Sequence, residues 1–213
     1  MYTVAVLISG SGSNLQALFD AQDAGDLGGA EVHVVVSDRS DAFGLQRALA
    51  RGMAAACVPL PAAPSGPSRH AVRAAWERRL AEVVAAFAPD LVVLAGFMRI
   101  LSSGFLQHFP NRVINQHPAL LPADGSDTVT TSTGLVIPAL RGAHVVPDAL
   151  RLGMPVTGCT IHRVTPRVDD GPILARTEVP ILPDDDEVSL HERIKAHERR
   201  MIVQVVRDLA VGR

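Results

Sequence analysis

Apolar residues follow two rhythms along this chain. Around Val4 to Ile8 they are consecutive, which fits a strand over Thr3 to Ile8 that is covered on both faces. Further short runs, rich in β-branched residues or alanine, predict strands over Glu31 to Val36, Ala54 to Val58, Leu91 to Leu94 and Val113 to Asn115. Helix-period segments lie between them. One starts at Ser13, where Ser13 and Gln16 have capping-box spacing, and ends near Gly25. A second covers Ala42 to Ala50 and is stopped by Gly52. After a loop rich in Pro, Ala and Ser over Leu60 to Pro67, the residues Val72, Trp76, Leu80, Val83 and Phe87 mark a long amphipathic helix. Strands alternating with helices predict an α/β fold with an open, mostly parallel, doubly wound sheet.

The second half breaks this alternation. Val156 to Val164 and Ile173 to Val179 read as strands joined by a turn at Asp169-Asp170-Gly171-Pro172, with no helix between them. That predicts an antiparallel C-terminal addition. Ser189 and Glu192 have capping-box spacing, and Leu190, Ile194, Met201, Val205 and Leu209 form one stripe of a long C-terminal helix. Asp124 to Arg141 is polar, then apolar, and fits neither rhythm.

Composition narrows the function classes. At about 150 residues per domain, 213 residues amount to roughly 1.4 domains, so a single domain with an embellishment is expected. With 47% hydrophobic and 20% charged residues the chain can bury a core, which excludes a disordered protein. A net charge of −2 provides no basic face for nucleic acid. Cys57 and Cys159 are far apart in sequence and outside any Cys/His cluster, which argues against a disulfide scaffold or structural zinc. No signal-peptide pattern precedes the first strand, and the apolar stretches are too short to span a membrane. The expectation is a cytoplasmic enzyme or binding domain acting on small molecules.

Four segments carry candidate chemistry. Ser9-Gly10-Ser11-Gly12-Ser13-Asn14 joins a strand to a helix start, where glycines and free N–H groups suit an anion such as phosphate. It lacks the Gly-Lys-Ser/Thr of a P-loop and the third glycine of a dinucleotide fingerprint, and Asp38 is weak support for a ribose-binding acid. The plain alternative is a tight turn. Asn115 and His117 in Asn-Gln-His-Pro have strand spacing, so both side chains point to one side of the sheet's carboxyl edge. An amide beside an imidazole suits oxyanion stabilisation, whereas a capping Asn and a satisfied His is the bland reading. Asp169 could orient such an imidazole, although alone it reads as a turn residue. Ala95 to Leu101 follows a buried strand and offers an apolar wall for a flat heteroaromatic ligand, or simply core packing. There is no GxSxG or HExxH, and no metal site is expected.

Together and in order, VLISGSGSNLQAL, VVSDRSDAFGLQRA, PDLVVLAGFMRILSSGFL, VINQHPALLP and VTGCTIHRVTPRVDDGPILARTEVPI resemble the folate-dependent phosphoribosylglycinamide formyltransferases of purine synthesis. AGFMRIL with NxHPxLLP is the most specific part. The resemblance implies one Rossmann- or flavodoxin-like domain over 1–213, with a phosphate-binding half (1–110) and a catalytic and folate half (111–213). It implies that Gly12, Ser13 and Asn14 hold the ribonucleotide phosphate and Glu198 contacts the ribose. Met98, Arg99, Ile100 and Leu101 would line the pterin pocket, with Arg69 near the glutamate tail. Asn115, His117 and Asp169 match the catalytic trio, with His144 and His162 as accessory histidines. The cosubstrate would be 10-formyltetrahydrofolate, without a metal. The glycinamide amine would attack the formyl carbon, Asn115 and protonated His117 would stabilise the oxyanion, and Asp169 would raise the His117 pKa and assist proton transfer. A monomer or homodimer is expected, with no nucleic-acid or membrane partner.

The chain departs from this pattern in one place. Relatives run almost directly from Leu-Leu-Pro through an aromatic-Pro pair to Gly-x-His, whereas here the 18 residues from Asp124 to Arg141 intervene before Gly142-Ala143-His144 and the pair is missing. The insertion could be a surface excursion, an active-site lid or an oligomer contact. Gln116 stands where many relatives carry Ile or Thr. Other readings are a formyltetrahydrofolate hydrolase or another formyl-folate-dependent transferase. A formyl-tRNA transferase would need an RNA-binding domain that this length does not accommodate, and the hydrolase usually carries an extra N-terminal domain. A folate- or nucleotide-binding protein without catalysis is a further alternative, against which the intact trio argues.

Overall fold

The structure, a computed structural model, describes residues 1–62 and 68–212. Part of the loop expected over Leu60 to Pro67 lies outside the described residues. Seven strands form one sheet: β1 (Tyr2–Ile8), β2 (Ala30–Ser37), β3 (Ala54–Cys57), β4 (Leu91–Leu94), β5 (Val113–His117), β8 (Val156–Arg163) and β9 (Ile173–Pro180). Their order is β3-β2-β1-β4-β5-β8-β9. The pairs from β3 to β5 are parallel and β5·β8 is antiparallel. β8·β9 is antiparallel too, as the absence of a helix between those two strands predicts. The chain leaves β1 to one side for β2 and β3, then returns to the other side for β4. That reversal opens a crevice at the carboxyl ends of β1 and β4, the place where open α/β sheets bind ligands.

Helices cover both faces, so the central strands are apolar on both sides. On one face α1 (Ser13–Asp23), α2 (Phe43–Ala50), α5 (Val145–Arg151) and α6 (Glu187–Val211) enclose Val4, Val6, Ile8, Ile114 and Ile161. On the other, α3 (Ser68–Ala85) and the short α4 (Ser103–Leu106) enclose Ala5, Leu7, Val92 and Val113, with Trp76 fully buried and its indole N–H donating to the Val58 carbonyl. Cys57 and Cys159 are both free. No helix among the described residues is long and apolar enough to cross a membrane.

Two helix starts differ from the sequence reading. Gly12, not Ser13, is the N-cap of α1; it lies at φ 70°, and no side chain caps the helix. The Gln16 side chain turns instead to Asp20 and Arg47. The last helix begins at Glu187, and the capping box is Asp186–Ser189 rather than Ser189–Glu192. Asp186 accepts from the Ser189 backbone N–H while the Ser189 hydroxyl accepts from that of Asp186. Asp and Ser are comparable N-caps, so the earlier one wins because the helix gains a turn and Ser189 reciprocates from inside it.

The segment Asp124 to Arg141 is ordered. It forms the antiparallel hairpin β6 (Thr128–Thr130) and β7 (Val136–Pro138). Val129 and Ile137 point inward and join Leu120, Ala149 and Met154 in a small separate core. Ser132 in the turn donates its amide and its hydroxyl to Glu178 on β9.

Candidate active site

A cavity of about 550 Å³ opens at the carboxyl ends of β1, β4 and β5. Its anion end is the turn Gly10 to Asn14, which feeds α1. With no side-chain cap, the first amides of this helix stay available to a ligand, and the helix dipole favours an anion there. The turn is shaped by α2. A Cβ on Gly12 would approach the Gly44 Cα to 2.8 Å, Gly44 N–H donates to the Gly10 carbonyl, and Arg47 Nε donates to the Ser11 carbonyl at 2.9 Å. Asn14 Nδ2 donates to the Glu198 carboxylate at 3.3 Å, while its Oδ1 is buried without a hydrogen-bond partner. Burial pushes the Glu198 carboxyl above the usual range, and the Asn14 bond opposes this.

The loop Ala95 to Leu101 forms an apolar wall. It is pinned from behind: Ser9 donates to Asp38 and accepts from the Met98 amide, and Arg99 Nε donates to the buried Asp38 carboxylate at 2.6 Å. Arg73 adds a bond to the Ile100 carbonyl. Asp38 is therefore a brace for two loops rather than a ribose-binding acid. Phe97 and Leu101 are buried in the core, whereas Met98 and Ile100 remain 66% and 61% exposed, an apolar surface open to a flat ligand.

Side chains build the opposite end. Asn115 on β5 faces His162 on β8 across the antiparallel pair, and Asn115 Nδ2 lies 3.3 Å from His162 Nε2. The Arg163 carbonyl, 3.0 Å from His162 Nδ1, requires a proton there, so in the neutral ring Nε2 accepts one of the two Asn115 N–H groups and leaves the other for a ligand. His117, two residues further, has Nδ1 3.4 Å from Asp169 Oδ2 and Nε2 2.7 Å from the Leu140 carbonyl. Asp169 Oδ1 is 3.5 Å from His162 Nε2, and the Gly142 amide donates to Oδ2. One carboxylate thus sits between two imidazoles.

The charge states differ from the expectation for His117. Burial pulls its pKa below the ordinary imidazole range, and the Asp169 carboxylate and Leu140 carbonyl offset this only in part. The resting ring is neutral at neutral pH, with its proton on Nε2. Burial works against the Asp169 carboxylate too, yet at the acid pH where it titrates the neighbouring imidazoles of His162 and His117, together with the Gly142 amide, hold it below the usual carboxylate range. A neutral imidazole beside a carboxylate accepts a proton from an attacking amine and is stabilised once it has done so.

Of the residues expected from the sequence, Gly12, Ser13, Asn14, Met98, Arg99, Ile100, Leu101, Asn115, His117, His162, Asp169 and Glu198 all line this cavity. Arg69 and His144 do not: Arg69 is exposed near the start of α3, and His144 is exposed at the N-cap of α5. Gln116 is buried and reaches across to donate to the Glu198 backbone carbonyl. His191 and Lys195 on α6 also line the cavity and were missed. Their spacing to Glu198, four residues and then three, places all three on one helical stripe. Among the described residues, no group of three His, Cys, Asp or Glu side chains is arranged to hold a metal ion.

Residues 2–206 match the formyl transferase family. The phosphoribosylglycinamide formyltransferase of Mycobacterium tuberculosis is 42% identical over 207 residues, covering 97% of this chain and 84% of that protein. That of Escherichia coli is 37% identical over 210 residues, covering 99% and 88%. The crystal structure of glycinamide ribonucleotide transformylase 1 from Symbiobacterium toebii superposes with a TM-score of 0.83 at 40% identity, covering all of this chain and 89% of that one.

Proposed function

The chain belongs to the formyl transferase family, and from that premise we infer that it transfers a formyl group from 10-formyltetrahydrofolate to the amine of 5-phosphoribosylglycinamide in purine synthesis. One observation carries the reading most directly. A single cavity joins an uncapped helix N-terminus, suited to a phosphate, to an amide–imidazole–carboxylate cluster suited to acyl transfer. The α1 turn takes the phosphate, with the Lys195 ammonium on the same lining. Glu198, held by Asn14, meets the ribose hydroxyls. The apolar wall from Met98 to Leu101 takes the pterin.

Formyl-folate supplies the carbon that is transferred; the chain supplies orientation and charge stabilisation. The free N–H of Asn115 donates to the formyl oxygen as negative charge gathers there. His117 accepts the proton that the amine loses and returns it to the folate N10 as the bond from that nitrogen to the transferred carbon breaks, Asp169 stabilises the imidazolium in between, and His162 orients Asn115. All these residues come from one chain, so a monomer suffices for the chemistry. We read 1–213 as one domain, with the anion site in 1–110 and the catalytic groups in 111–213. The reaction needs no metal in this scheme, and soluble substrates of this kind fit a cytoplasmic enzyme.

Spectrophotometric detection of tetrahydrofolate release, with and without the ribonucleotide, tests the reading. Release is expected only when the acceptor is present. Release without any acceptor would make the protein a hydrolase, and binding without release would make it a non-catalytic binding protein.

A further inference from the structure

The hairpin segment ends against the reactive groups. Its last two residues and the glycine that follows touch the cluster by three different means. Leu140 gives its carbonyl to His117 Nε2 at 2.7 Å, and Gly142 gives its amide to Asp169 Oδ2 at 2.9 Å. Between them, Arg141 Nε reaches the Asp169 backbone carbonyl at 3.4 Å. The far end of the same guanidinium donates to the Ser126 carbonyl at 2.8 Å and the Gly125 carbonyl at 3.4 Å. Its remaining nitrogen is 3.6 Å from Asp127, whose side chain is fully exposed, so that ion pair adds little. Arg141 therefore ties the start of the insertion to the turn that carries Asp169.

That turn needs holding. Asp169 sits at φ 50°, in the left-handed region that Asp tolerates better than most residues with a Cβ but still at a cost. The neighbouring Gly171 packs so tightly against the Arg163 backbone that no side chain fits there. This fixes the foot of the turn, while its carbonyl and carboxylate are fixed from above by Arg141 and Gly142.

We propose that Arg141 is a positioning residue for formyl transfer, clamping Asp169 against His117, so that the inserted segment is a working wall of the active site. The proposal rests on the function inferred above. It separates Arg141 from a residue that merely stabilises the hairpin, because its guanidinium also bears electrostatically on His117. The charged and titratable groups facing that ring are Asp169, His162 and Arg141, with the Leu140 carbonyl as the polar neighbour. Of these, Asp169 favours the imidazolium, and His162 and Arg141 disfavour it.

The test compares wild type with Arg141→Gln and Arg141→Lys by two measurements. NMR titration, with the resonance assigned by its loss in His117→Asn, gives the pKa of His117. Steady-state kinetics gives kcat, KM and the pH profile. In Arg141→Lys, which keeps the charge but loses the fork, Asp169 is no longer held against His117: the pKa of His117 should fall, the limb of the kcat profile that it governs should move to lower pH, and kcat should fall about 10- to 100-fold with little change in either KM. Arg141→Gln also removes the guanidinium charge that disfavours the imidazolium, so its His117 pKa should lie above that of Arg141→Lys while its kcat is no better. An unchanged kcat in Arg141→Gln overturns the proposal. So does a loss of kcat that tracks thermal stability and leaves the His117 titration of Arg141→Lys unmoved. If wild type shows no acceptor-dependent release, the functional reading fails, and the NMR shift judges the coupling of Arg141 to His117 by itself.

Discussion

The two ends of the cavity solve different problems by different means. The anion end is mostly backbone: a left-handed glycine, an uncapped helix and a turn braced by Gly44 and Arg47 from α2. The other end is mostly side chain. Asn115, His117, His162 and Asp169 converge from β5, β8 and the turn before β9, and backbone carbonyls fix the tautomers of both rings. Binding here resides in conformation and reactivity in residue identity. Changes at the first end should therefore appear in KM, and changes at the second in kcat.

The largest effect is expected at the side-chain end. Asn115→Ala and Asp169→Asn should each lower kcat by about 10²–10³ with the fold intact. Steady-state assays with both substrates check this, and near-wild-type turnover in Asn115→Ala would remove the basis of the comparison. Next comes the backbone end. Gly12→Ala places a Cβ against Gly44 at a positive φ, so the turn must open. The KM for the ribonucleotide should rise about tenfold, equivalent to about 1.4 kcal/mol, with the folate KM unmoved. A loss in kcat alone would show that the turn serves the reaction rather than binding.

Glu198 sharpens the boundary between the two. Its pKa is raised in the folded state by burial, so the folded chain keeps a proton that the unfolded chain has already released. Stability then falls as pH rises from the unfolded glutamate value to the folded one, and the penalty persists above it. Glu198→Gln removes that penalty. Its melting temperature relative to wild type should climb across this window and then level off, and a flat difference would mean that burial does not set the charge state. The smallest effect belongs to the hairpin core. Ile137→Val should cost about 0.5–1.5 kcal/mol in denaturant unfolding and leave both KM values unchanged. A kinetic effect would extend the active-site wall beyond Leu140–Gly142.

Much of this architecture is written locally in the chain. Continuous apolar runs locate the parallel strands, and the turn from Ser9 to Asn14 announces itself because its residues are adjacent. The α6 stripe holding His191, Lys195 and Glu198 is also visible as helical spacing, though it competes with the apolar stripe beside it. What stays hidden depends on register and burial. His162 acquires its place only because β8 runs antiparallel to β5 and sets it opposite Asn115. The neutral state of His117 follows from burial that no motif expresses. The hairpin escapes notice because its strands are three residues each, too short for a period to emerge. The two misplaced capping boxes have a simpler cause: each stretch offers more than one residue able to start a helix.

The contact between Gly12 and Gly44 bears on portability. The phosphate turn looks like a cassette, six consecutive residues that could be cut out and moved to another scaffold. Its curvature, however, is moulded by a helix that arrives one strand later and carries no ligand contact of its own among the residues lining the cavity. A graft would have to bring α2 with it, at the same height over the sheet, or the borrowed loop would relax into an ordinary turn.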